Sequence, residues 1–473
     1  MDTQRGDEHE GVELRAGGPL WWIVERHLDE AAALVERWLE AWEAPDFDLE
    51  ALASVEARIL AHLDGLRVAG PEVVARVLRP VILRGEVPDA GVASLAAMAV
   101  LEPGEWSTLF EPRGASAEAD EMDAVLDALA PWRARAQSAQ DDPLAALRCS
   151  ARVLALSLAE DPRVDAWLDE RLADASAGDP TRLAELLLAA ARRGRAVVGL
   201  PALLQRAEAQ VVAAAALAAR HASDEGSAAA LISCFEHANA WVRAEAIESG
   251  LIRQLPGAWA CARTMASAAP PGLRRRAWLW LALLGDEAAQ AELIARFGGA
   301  VDEGSQAERA DALWAASFGG RPAAVDAALP LLGDPVLGPL AGELFRAIAG
   351  APEEDDSLWE AASIGDIGEI GEGEVSLPSL EDDDLEAELG IDAESLLPVP
   401  KAEALAAWWA ERRPELAAQP RLLGGVPWSE AALLEGLRHG SMRRTPGLAL
   451  ALGIHSAGQR QLQALVWTWR WRV

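Results

Sequence analysis

The sequence predicts an all-α protein whose middle is a stack of helical hairpins, with a helical domain on either side. Three observations carry that prediction. Ala and Leu supply much of an apolar fraction of 51%, β-branched residues are sparse and Tyr is absent, which is the composition of a helix former. Three segments in the middle of the chain repeat one helical pattern. Asp-Pro pairs at Asp161-Pro162, Asp179-Pro180 and Asp334-Pro335 mark breaks, because Pro disfavours helix at the residue before it.

From the start of the chain, Met1 to Gly18 is polar and acidic and is expected to be disordered, with no secretory signal of the usual kind. Pro19 suits a first helical turn, and the helix it opens should run to Ala44, where Pro45 ends it. Within it Trp21, Val24, Leu28, Val35, Trp38 and Trp42 recur at helical spacing and give one buried face. Further helices are expected at Asp48–Leu63, Pro71–Leu83 and Gly91–Leu101. Together they form an N-terminal helical domain over residues 19–113, followed by a polar linker, Gly114–Asp120.

Residues 121–350 read as a repeat array. Asn239–Leu251 (NAWVRAEAIESGL), Pro271–Gly285 (PGLRRRAWLWLALLG) and Gln306–Gly319 (QAERADALWAASFG) each place an Arg early in a helix, then Ala or Trp at helical spacing, then a Gly. Their starts are roughly thirty-odd residues apart, the period of paired-helix units of the HEAT-like kind. GDEAAQAELIARF and GRPAAVDAALPLL follow the second and third as a turn and a second helix. One hairpin cannot cover both its apolar faces, so each stacks on the next. The stretch 142–221 shows the pattern less regularly.

Residues 351–400 hold seventeen Asp and Glu and no Arg or Lys, about half of the net charge of −33. With glycines and no helical period, this stretch reads as an acidic flexible linker or insertion. Residues 401–473 resume as a C-terminal helical domain, with helices at Ala402–Arg412, Ser429–His439, Pro446–Ile454 and from Gly458 onward.

Four stretches carry a resemblance: Glu56–Gly70 (EARILAHLDGLRVAG), Gly319–Gly350 with its AGELFRAIAG ending, Pro420–Pro427 (PRLLGGVP), and Leu437–Ile454 with Gly440 and Arg443-Arg444. Together they resemble a family of bacterial HEAT-repeat proteins often encoded beside type VI secretion genes. The chain departs from the family at Thr445-Pro446-Gly447, where Ala-rich helix is expected. The resemblance implies a role in the secretion of toxic effectors, as adaptor, chaperone or neutralising partner.

Candidate chemistry is thin. No Gly-rich phosphate loop, nucleophile elbow or His-Glu-x-x-His occurs, so no catalytic residue, cofactor or metal ligand is assigned. His62 and Asp64 stand two apart on different helix faces and read as a cap or turn. His221 and His237 read as helix-end cations. Cys149, Cys234 and Cys261 stand apart, as buried thiols in a reducing compartment. A strongly acidic chain is a poor match for nucleic acid or anionic membrane, and no apolar run reaches membrane-spanning length, so a cytoplasmic site is expected.

The candidates for partner binding are Arg274, Arg275 and Arg276, and the aromatic and cationic run Trp467, Trp469, Arg470, Trp471 and Arg472. Each has a second reading: the Arg run as an intramolecular ladder with acidic neighbours, the Trp run as core capping. The expected function is a non-catalytic protein-binding scaffold. An enzyme similar to HEAT-like bilin lyases, or a purely structural spacer, is the alternative.

Overall fold

The computed structural model describes residues 19–70, 72–78, 80–81, 142–148, 150–159, 163–174, 179–298, 306–360 and 393–471. The expected disordered start 1–18, the helix at Gly91–Leu101, the linker Gly114–Asp120, the Asp161-Pro162 break, Cys149 and Arg472 lie outside these residues. Within them the fold is mostly helical, and its strands are one short antiparallel pair.

Helices α1 (Trp21–Ala41) and α2 (Leu49–Val68) pair as an N-terminal hairpin. The helical spacing read in the sequence buries Val24, Leu28, Val35 and Trp38, and Trp42 just beyond the helix end. Asp48 caps α2 by accepting the Ala51 N–H at 2.7 Å, which satisfies one of the orphan donors of its first turn. Because α2 continues to Val68, His62 and Asp64 are not a cap or turn: they lie inside the helix, and they do point apart. The His62 ring meets His27 across the hairpin, Nδ1 to Nδ1 at 3.1 Å, while Asp64 pairs with Arg67. A π-helical turn, Val74–Leu78, lies within the expected third helix.

The middle of the chain alternates two sets of helices. The odd set is α3 (Ala151–Leu158), α5 (Pro180–Arg192), α7 (Ala209–Ala218), α9 (Ala240–Ile252), α11 (Pro271–Leu284), α13 (Gln306–Ala316) and α15 (Leu337–Ala349). Their starts are 29 to 35 residues apart. Between them lie α4 (Arg163–Asp174), α6 (Leu200–Leu203), α8 (Glu225–Ser233), α10 (Ala258–Ser267), α12 (Glu287–Gly298) and α14 (Pro322–Ala328). Each odd helix packs on the next odd helix, and each even helix packs on the odd helix that follows it. Thus α7 buries Val211 to Ala216, and α11 buries Ala277 to Leu283, on every side. Asp179 and Asp334 mark breaks as expected, each accepting two backbone N–H groups of the following helix start.

The expected flexible stretch 351–400 is corrected at both of its ends. Trp359 bridges Pro400, its indole N–H donates to the Pro352 carbonyl at 2.7 Å, and Leu358 and Leu397 are buried. Acidic runs dominated the sequence reading, but these apolar side chains find places on α15, where Gly342 leaves room: a Cβ there would stand 2.8 Å from the Trp359 ring. The centre of the stretch, 361–392, lies outside the described residues.

Beyond it come α16 (Ala402–Leu416), a hairpin of β1 (Leu422–Leu423) and β2 (Val426–Pro427), α17 (Glu430–His439) and α18 (Thr445–His455). Gly424 and Gly425, at φ 59° and 79°, make the two-residue turn that a hairpin of this hand requires. Ser429 caps α17, accepting the Ala432 N–H at 3.1 Å. Thr445-Pro446-Gly447 opens α18, Pro falling in the first turn where its missing N–H costs nothing. The helix expected from Gly458 onward is corrected. That segment is extended and irregular, with a single helical turn at Thr468–Arg470, because its side chains are drawn to different partners along its length.

Candidate functional site

Every α-helix ends with carbonyl groups that no later N–H of the helix can reach. Along the odd set of helices these ends are met by a single strap, residues 421–471. Its Arg421 donates from Nε to Gly319 O at 2.9 Å and from Nη1 to Leu283 O at 3.3 Å. Gly424 and Gly425 donate their N–H groups to Ala347 O and Ile348 O at 2.8 and 2.9 Å. Arg444 reaches Ser317 Oγ at 2.8 Å, with its guanidinium 4.4 Å from the Phe318 ring centre. Gln461 donates to Arg220 O at 3.1 Å, and Trp467 to Leu158 O at 2.9 Å. The strap thus starts at the ends of α13 and α11 through Arg421, turns on the end of α15 at Gly424 and Gly425, and from there meets α13, α7 and α3 in chain order, running against the direction of the array.

Two kinds of residue make this docking possible. Glycine permits backbone to lie on backbone: at Gly350, φ 73°, a Cβ would stand 2.5 Å from Gly424 O. Arginine supplies several donors and a positive charge at helix ends that carry partial negative charge. Burial lowers Arg421 and Arg444 to about 10, which leaves both cationic at neutral pH.

At its far end the strap becomes a clasp on the N-terminal hairpin. Glu56 of α2, 1% exposed, accepts the Thr468 N–H at 3.0 Å, the Thr468 hydroxyl at 2.5 Å and the Trp38 indole N–H at 2.9 Å. Burial raises its carboxyl, and those three donors offset part of the effect. The Trp467 ring packs on Trp38 with centres 5.7 Å apart, and Trp471 on Trp42 at 5.6 Å. Arg470 donates to the carbonyls of Ser157, Leu158 and Ala159 at the end of α3. Trp469, 46% exposed, stacks on Trp467 at 5.0 Å.

The odd helices also carry a ladder of ion pairs. Arg276 donates to both Glu245 oxygens at 2.8 and 2.9 Å and to Glu248 at 2.8 Å; Arg148 reaches Glu245 at 2.6 Å and Arg220 reaches Glu248 at 3.3 Å. Burial works to raise the Glu245 carboxyl, but Arg276 and Arg148 outweigh it and hold it far below the usual carboxylate range. The ladder continues through Arg274 to Glu308 and Asp311, through Arg275 to Asp311 and Glu394, and through Arg443 to Glu394 and Glu343.

The residues singled out from sequence thus fall into place. Arg274, Arg275 and Arg276 are engaged inside the chain. Trp467 and Trp471 are buried, Arg470 caps a helix, and Trp469 alone of that run's described tryptophans faces solvent. His221 sits at a helix end as expected but is not a cation there: burial and the neighbouring Arg220 lower it to about 4, so it is neutral at pH 7. His237 stands before α9 and accepts the Asn239 N–H. Cys234 is buried and Cys261 half-buried, both as free thiols. Sequence reading missed Glu56, Arg421 and Arg444; a Glu inside an apolar stripe of α2 was the available signal for the first.

Among the described residues, no group of three His, Cys, Asp or Glu side chains is placed to hold a metal ion, and no helix is long and apolar enough to cross a membrane. Compared with known proteins, the chain matches no protein-family model, no curated protein and no solved structure.

Proposed function

We propose that this chain is a non-catalytic scaffold that holds another protein: a HEAT-like α-solenoid serving type VI secretion as effector adaptor, chaperone or neutralising partner. The observation that carries the reading is the unbroken packing of odd helix on odd helix from α3 to α15, with the charges of that row paired internally. Such an array grows in one dimension and leaves an extended side for a partner. On the even helices that side bears small exposed residues, Ala260 on α10 and Ala288, Ala291 and Ala295 on α12, where a partner meets little side-chain entropy. The secretion context rests on the resemblance of the four stretches described above.

The test is quantitative capture of the tagged chain from its native host, beside an Ala260→Arg/Ala291→Arg variant of unchanged melting temperature. Stoichiometric recovery of a secretion component with the native chain, lost with the variant, supports the proposal. A partnerless chain in both samples overturns it.

A further inference from the structure

We propose that the segment Val466–Trp471 is an exchangeable clasp, through which two copies of this chain form a dimer by docking each other's segment. The inference stands on the clasp geometry and does not depend on the scaffold reading.

The groove that receives the segment is built from residues remote from it in sequence. Trp38, Trp42 and Glu56 form one wall, and the carbonyls of Ser157, Leu158 and Ala159 form the other. The hydrogen bonds to Leu158 and Glu56 span 309 and 412 residues of chain. None of these groups belongs to the stretch that delivers the segment, so the groove presents the same partners to the segment of a second copy.

The connection is held far less firmly than the clasp. Between α18 and Val466 the chain runs through Ser456–Leu465 without a helix or strand. Its polar contacts to the array are single ones, from Gln461 to Arg220 O at 3.1 Å and between Gln463 and His221 at 3.4 Å, and its ion pair, Arg460 with Glu430 of α17 at 3.1 Å, is solvent-exposed and weak. Ala457 and Leu465 adopt φ of 52° and 57°, a left-handed conformation that costs a residue with a Cβ. Straightening the connection at Leu465 relieves that residue, while Ala457 is the left-handed residue of the α18 cap, where Gly458 N–H donates to Gly453 O at 2.8 Å, and keeps its place. A strained connection joined to a tightly held end is the condition under which segments exchange between copies.

Opening also determines what covers the groove. A released clasp exposes the rings of Trp38, Trp42, Trp467 and Trp471, and the carboxyl of Glu56 loses its donors. The segment of a second open copy restores every one of those contacts, which no surface of different chemistry does.

The experiment uses the full chain at high concentration, opened by a brief pulse of mild denaturant and returned to buffer, with mass read by light scattering after gel filtration. A dimer that persists on dilution is expected. Leu465→Gly, which removes the strain of the closed form beside the clasp, should shift the balance about tenfold towards monomer. To identify the contact, copies carrying Glu56→Cys are mixed with copies carrying Thr468→Cys, pulsed together and treated with a short thiol cross-linker. A cross-linked species joining residue 56 of one copy to residue 468 of the other is expected. If Glu56→Cys fails to fold, the same mixture is made with Trp42→Cys and Trp471→Cys. Native chain that remains monomeric after the pulse, or a dimer lacking those cross-links, overturns the proposal.

Discussion

The helical array and the strap that runs along it are stabilised over different distances in sequence. In the array each odd helix meets the next one 29 to 35 residues later, and the ladder residues Glu245, Glu248 and Arg276 lie on consecutive odd helices. Contacts of that kind add up unit by unit and are specified by local pattern. The strap does the reverse: Arg421 reaches back 102 residues to Gly319, Gln461 reaches back 241 to Arg220, and Thr468 reaches back 412 to Glu56. The comparison teaches that the helices of the middle hold one another through near neighbours as well as through the strap, whereas the N-terminal hairpin and first array helix are clasped by a segment hundreds of residues away.

The largest expected effect comes from breaking the strap at its tightest point. Trp467→Ala removes a fully buried ring and its hydrogen bond to Leu158, at a cost of about 4–5 kcal/mol. Hydrogen exchange should accelerate in α1, α2 and α3 and stay slow in α9 to α13. Equal acceleration everywhere would show that the strap supports the whole array and would break the comparison.

Glu245→Ala probes the opposite side of it. That change leaves Arg148 and Arg276 without their shared carboxylate in a buried site and should cost about 3–4 kcal/mol. Here exchange should accelerate first in α7 to α11, leaving the clasp intact by Trp fluorescence; early loss of the clasp signal would contradict local, additive stability.

Acid sharpens the same distinction, because the two regions titrate in different windows. His221, which touches Gln463 of the strap, has its folded pKa depressed from 6.5 to about 4. The unfolded chain therefore takes up the proton first, and stability falls as pH drops from 6.5 to about 4, by at most about 3 kcal/mol. The carboxyls of Glu245 and Glu248 are also depressed, from 4.5, so their contribution is complete above that value and is lost only as pH falls below it. Denaturant titrations of His221→Asn should show a much shallower first slope, the remainder coming from His62, whose pKa burial and His27 also depress, and should keep the second. A variant whose first slope is unchanged would remove His221 as its main source.

The smallest effect is expected where backbone lies on backbone. Gly350→Ala places a Cβ against Gly424 O and adds strain at positive φ, for a loss of about 1–2 kcal/mol in thermal or chemical unfolding. Gly333→Ala, where a Cβ meets nothing within 4 Å, is the matched control and should change stability little.

Much of the array is legible in the sequence itself. Pro271 and the apolar residues after it marked α11, Asn239 marked the start of α9, and Ser429 after Pro427 marked α17. The units before them were harder to read: α7 is nearly all Ala and Val, so it has no polar face whose phase could be followed, and α6 is a single turn. The strap was the least legible. Its glycines and arginines look unremarkable in sequence because what they satisfy, the carbonyls at the ends of other helices, is visible only once those helices are side by side. The same reason left the Trp467–Trp471 run open between partner binding and core.

By itself, then, the sequence determined the helical class, the hairpin period and the positions of most helix starts, since these follow from residue propensities and spacings within a few turns. The tertiary structure alone decided which arginines are paired, that the edges of 351–400 pack, that His221 is neutral and that the clasp closes on Trp38 and Glu56. Those outcomes depend on desolvation and on donors and acceptors meeting across separations from 31 residues, as for Arg276 with Glu245, to 412, as for Thr468 with Glu56, and no pattern within a few turns of the chain encodes such meetings.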